Sequence, residues 1–247
     1  ESIRSGNWNN KSTWDCNCIP SSFSNVRIST GDTVSLPGGD AEIAHFFMDS
    51  TAVFDHGGNT FTVSGNYTNN GKHRGNGKLV LSGSNSYING RGYIENIGAL
   101  KITGGTKTVL PRARINKTNG ILQISNNLAV HNQGTFSINH DMSDTNATWI
   151  NHSHAVLNFG GDTLAPVLLA SAGGNTINYN GAHDQLIKDP VASTYYHLRV
   201  SDSGVKHLQQ DVLVNGHLTI DSAILKSNHQ TIHLQGNWNN AGGVFEE

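Results

Sequence analysis

The best candidate for a site by residue type is the irregular stretch between residues 139 and 155, where His140, Asp141, Asp144, Trp149, His152 and His154 fall close together. In an extended chain His152 and His154 share one face, because side chains two apart point the same way. Two imidazoles so placed suit a divalent metal, with a nearby carboxylate completing the shell. Alternatively Asp141 and Asp144 supply the acid and base of a glycosidase, a reaction run by paired carboxylates. The plainer reading, favoured for a stretch this polar, is a loop bulging into water with no chemistry of its own. Asp141, Asp144, Trp149, His152 and His154 are kept as ligand- or metal-contact candidates. No catalytic residue, bound metal or cofactor is assigned.

Other residues invite chemistry less specifically. Of the thirteen histidines, His197, His207 and His217 recur ten apart, which suggests that His197 and His217 stack. Two stacked imidazoles repel once both are protonated, a route to weakening near about pH 5–6. Cys16 and Cys18 are the only cysteines. Their C-x-C spacing reads as a short local disulfide before free thiols, and as half a zinc site at most. Lys107, Arg112, Arg114 and Lys117 form the densest positive region, a solvated edge or a contact for an anionic polysaccharide. Tyr67, Tyr87, Tyr93, Trp149, Tyr195 and Tyr196 are aromatics that either stack on sugars or fill a core. No phosphate-binding glycine loop, nucleophile elbow or complete zinc signature occurs.

What positions these residues is a small pattern that returns along most of the 247-residue chain. It is Gly or Asn, any residue, then apolar, polar, apolar, polar. It reads Gly77-Lys78-Leu79-Val80-Leu81-Ser82, then Gly98-Ala99-Leu100-Lys101-Ile102-Thr103, then Gly120-Ile121-Leu122-Gln123-Ile124-Ser125. Each unit is a strand with one buried face. The first apolar positions fall at 61, 79, 100, 122, 136, 157, 177, 198, 218 and 232, mostly 18 to 22 apart with two steps of 14. A period near twenty predicts a right-handed parallel β-helix, an all-β solenoid in which stacked coils bury what no single coil can. Ten to eleven coils at about 4.8 Å each make a rod on the order of 50 Å long.

Composition agrees. The 28 glycines and 5 prolines suit many short strands and tight turns. With 14% charged residues, a net charge of −2 and no basic stripe, a nucleic-acid partner is not expected. No run of 18 apolar residues is present, so no helical membrane span is expected. Residues 1–25, holding Trp8, Trp14 and the cysteine pair, break the period and read as an N-terminal cap. Residues 26–247 read as the solenoid, which is expected to continue beyond the last residue.

Two stretches resemble a known family. Ser5-Gly6-Asn7-Trp8-Asn9-Asn10-Lys11-Ser12-Thr13-Trp14-Asp15-Cys16-Asn17-Cys18-Ile19-Pro20 resembles the opening of many large surface proteins of the Bacteroidetes. Thr194-Tyr195-Tyr196-His197-Leu198-Arg199-Val200-Ser201-Asp202-Ser203-Gly204 resembles their repeats, as does Gly236-Asn237-Trp238. The N-terminal segment is also similar to the G8-type module that precedes β-helices in some extracellular proteins. The resemblance implies export by the type IX route and a role in adhesins or surface filaments, outside the cell or on its surface. Surface glycans or further copies of the chain are then the partners. It also implies O-glycosylation at Asp-Ser/Thr motifs, here at Thr33, Ser50, Thr163 and Ser222. It carries over no catalytic residue. A structural or adhesive module without intrinsic catalysis is therefore the expected function. A carbohydrate-active β-helix enzyme or a glycan-binding module is the alternative.

Overall fold

The computed structural model describes residues 1–95, 97–144 and 146–247. The chain is a β-solenoid of about eleven turns with a repeat near twenty residues. Most coils contribute a short strand to each of three faces, and every pairing between strands is parallel among the described residues. The long face runs through twelve strands, from Gly6–Asn7 at one end to Trp238–Asn240 at the other. A second face begins with Asn25–Ile28 and His45–Met48 and runs through eight strands to Val167–Leu169. There a bridge from Ala170 to Tyr195 passes it to a three-stranded sheet ending at Ile232–Leu234. The third face has six strands, Ala41–Ile43 to Met142–Ser143, followed by a four-stranded sheet from Gln185–Leu186 to Val244–Glu246.

Register explains the irregular steps in the sequence period. Phe61, Leu79, Leu100 and Leu122 stack on one another along the third face. Phe136, Leu157, Ile177, Leu198 and Leu218 stack along the long face. The step of 14 from Leu122 to Phe136 is therefore a change of face and not a short coil, and the step from Leu218 to Ile232 is another. All nine of those stacked residues are 0% or 1% exposed. Alternation of period two puts them inward on every coil, and burial of such apolar surface is the main favourable term holding the rod.

The N-terminal segment closes one end. Trp8 follows the first strand of the long face, and Trp14 lies 5.0 Å from it, edge to face, donating its indole N–H to the Trp8 carbonyl. Trp8 in turn packs on Phe54 and Phe61 of the next coils. The bridge between Ser2 and Trp14 is antiparallel, unlike the coils it covers. Cys16 and Cys18 are joined in a disulfide just beyond. At the other end Trp238 pairs with Leu218, and Phe245 with Leu225, in the inward columns. Both remain over 40% exposed, because coils cover them from one side only.

Corners are tight enough to dictate residue type. Gly104 has φ 75°, and a Cβ there would sit 1.6 Å from the Ser82 carbonyl oxygen of the preceding coil. Gly104→Ala is expected to cost at least about 2 kcal/mol, since neither the backbone angle nor the space is available. Urea unfolding of the variant beside the parent chain measures it.

Candidate functional site

The stretch from 139 to 155 is not a loop bulging from the rod. Met142–Ser143 and Thr148–Asn151 take ordinary places in the third and second faces. Trp149 is 0% exposed and packs edge to face on Phe136 at 5.2 Å, so it belongs to the core and is withdrawn as a ligand contact. Asp141 accepts the backbone N–H groups of Asp162 and Thr163 through one oxygen, both at 2.8 Å. Asp144, at φ 82°, forms part of a turn and is met by the Ser143 hydroxyl. His152 and His154 do not share a face, because the chain turns between them and His154 sits at φ 62°. His152 instead stacks on His131 one coil earlier, with Nε2 2.8 Å from the His131 Nδ1. Among the described residues, no group of three or more His, Cys, Asp or Glu side chains is placed to hold a metal ion.

Asp141 belongs to a wider device. At corner after corner a side chain accepts the backbone N–H of a residue in the next coil. Asp40 takes Thr60, Asp184 takes Val205 and Asp211 takes Thr231. Asn66 takes Tyr87. Three histidines do the same through Nδ1: His45 to Asn66, His197 to His217, and His217 to Asn237. His197 and His217 do stack, 4.8 Å apart. Accepting at Nδ1 fixes the tautomer with the proton on Nε2, which leaves no lone pair for a metal.

Sequence reasoning missed the buried polar groups. Lys107 and Lys117, read above as a solvated positive edge, are at most 1% exposed, and Lys206 is 0% exposed. Their charge is satisfied by turn carbonyls. Lys206 donates to Gly181 at 2.6 Å and to His183 and Ser203 at 2.7 Å. Lys107 donates to Gly83, Thr103 and Gly105, and Lys117 to Asn119 and Gly120. Burial lowers all three ammonium groups to about 8. In the first coils a polar chain crosses the core: the Tyr67 hydroxyl lies 2.8 Å from His73 Nδ1, and His73 Nε2 lies 3.0 Å from His56 Nδ1. Burial depresses both imidazoles, His73 furthest, with His56 beside it adding to the effect. The only signal for these groups is a polar residue at an inward position of the alternation.

The aromatics divide sharply. Tyr67 and Tyr195 are core residues, whereas Tyr93 is 51% exposed on the long face. Phe47 and Tyr87, each 38% exposed, stand on the outer side of the second face. They border a groove of about 240 Å³ lined also by Asn25, Arg27, His45, Asn66 and Thr68. Arg27 lies over the Phe47 ring, 5.2 Å from its centroid, and holds Asp49 through two hydrogen bonds of 3.0 and 2.9 Å. The groove thus joins two exposed aromatic rings to polar side chains. The four expected O-glycosylation positions, Thr33, Ser50, Thr163 and Ser222, are all exposed. The aspartates before them are engaged with Ser2, Arg27, His183 and Arg199.

Comparison of the chain with known protein families, curated proteins and solved structures gives no match.

Two outcomes follow from the buried groups. His56, His73, His152 and His197 all have lowered pKa, with burial the first cause in each. The unfolded chain takes up protons below about pH 6.5 that the fold refuses, so stability is expected to fall as pH drops from 7 toward 5. Urea midpoints at pH 7.5, 6 and 5 measure the slope. Lys206→Met should lose roughly 2–3 kcal/mol at pH 7, because three turn carbonyls are left without a donor. A change under about 0.5 kcal/mol in the same assay would contradict that role.

Proposed function

We propose that the chain is a structural or adhesive module of an extracellular surface protein, a stiff rod that holds a binding face away from its base. The observation that carries this reading is the unbroken twelve-strand face along the whole rod. Side-chain acceptors at the corners stitch successive coils to it. Each coil contacts its neighbours alone, so rigidity grows by addition and length is set by coil number. The outward positions are then free to vary with the target.

A carbohydrate-active enzyme is the competing class. Paired carboxylates are its usual requirement, and Asp141 spends its carboxylate on two backbone amides.

Immunogold electron microscopy of the source cells and their medium tests the proposal. Label on surface projections or on released fibres is the expected result. Label confined to the cell interior would overturn it.

A further inference from the structure

The groove between Phe47 and Tyr87 is built from outward columns of the second face. Phe47 pairs in register with Thr68 of the next coil, and Tyr67 with Ile88 of the coil after that. Tyr87 therefore stands two coils from Phe47, about 9.6 Å along the rod axis, and two residues, about 7 Å, to the side, in the column of His45 and Asn66. Asn66 and Thr68 make the floor between the two rings. Both rings lie on the water side of a face whose inner side, Phe46, Tyr67 and Ile88, is fully packed. Neither ring is needed for the core, and each presents an apolar surface to solvent.

Polar chemistry around the rings is oriented and unspent. His45 accepts the Asn66 amide through Nδ1, so its Nε2–H points to solvent as a donor. Asn66 uses its carbonyl oxygen on the Tyr87 backbone, and its side-chain NH₂ has no partner among the described residues. The Asn25 amide and the Tyr87 hydroxyl have no partner among the described residues, and both lie at the groove. Donors and acceptors thus alternate with two aromatic surfaces across the span of a disaccharide.

Charge separates the possible occupants. The one cation of the groove, Arg27, is paired with Asp49 and approached by Glu1, so no uncompensated positive charge faces the ligand. A nucleic acid also stacks its bases on aromatic rings, but needs cations for its phosphates. An acidic polysaccharide has the same need. An apolar peptide would leave the His45 and Asn66 donors buried without partners, at about 1–3 kcal/mol each. A neutral pyranose chain fits each condition: apolar C–H faces for the rings, hydroxyls for the amides and imidazole, and no charge.

We infer that the Phe47–Tyr87 groove is a binding site for a neutral oligosaccharide running obliquely across the second face, from one ring to the other. The assignment rests on reading the rod as an adhesive module and names the class of target it would hold.

The test uses the whole chain and a panel of neutral hexasaccharides of glucose, mannose, galactose and N-acetylglucosamine, with hyaluronan and heparin fragments alongside. Titration calorimetry should find at least one neutral member that binds, with affinity little changed between 50 and 500 mM salt. Phe47→Ala and Tyr87→Ala should each weaken it ten-fold or more, while Tyr93→Ala, an exposed aromatic on another face, should not. Urea midpoints within error of the parent show that the variants are folded. No neutral binding, binding untouched by the two substitutions, or binding to the acidic fragments alone would each overturn the inference. Those results leave the surface label in microscopy as it was, so failure of the site is distinguishable from failure of the module.

Discussion

Parallel pairing of backbone strands about twenty residues apart is the constraint on which the rest of this molecule depends. Once Leu79 lies on Phe61 and Leu100 on Leu79, the alternation of the chain decides every other side chain. One set must point inward onto a column of like residues, and the other must point to solvent. A slip of one residue would reverse both sets in every coil. The tight glycine corners and the side-chain acceptors at their edges hold the register against that slip. Core, corner and surface are thus three consequences of one spacing.

That spacing was open to reading from the sequence because it recurs in hydrophobicity, which survives changes of residue. The coil length, the parallel stacking and the His197–His217 contact all come from it. Its two irregular steps carried information that hydrophobicity alone does not separate. A strand on the third face and one on the long face share the same alternation, so the shift from Leu122 to Phe136 looks like a shortened coil. Only pairing distinguishes the faces.

The candidate site was legible much less well, for a physical reason. Sequence reading weighs a residue by its type, while a solenoid assigns roles by position in the alternation. Trp149 falls inward and becomes core, although its neighbours are polar. Lys107 and Lys206 fall inward too, and the turn carbonyls satisfy them there. Asp141 falls at a corner and accepts backbone amides, so its carboxylate is used up by the fold. Phe47 and Tyr87 fall outward on strands two coils apart, so nothing in their sequence spacing brings them together. By type alone Tyr87 reads as either a sugar-stacking or a core aromatic, and Phe47 reads as core.

The corner acceptors have a direction. Asp40, His45, Asn66, Asp141, Asp184, His197, Asp211 and His217 each belong to the earlier coil, and the amide each receives comes from the later one. A chain emerging from its N-terminus therefore presents every socket before the piece that fills it has been made. Each coil of about twenty residues made after the tryptophan cap finds a finished template and needs nothing downstream. The rod is suited to being built vectorially, one coil at a time, as it is synthesised.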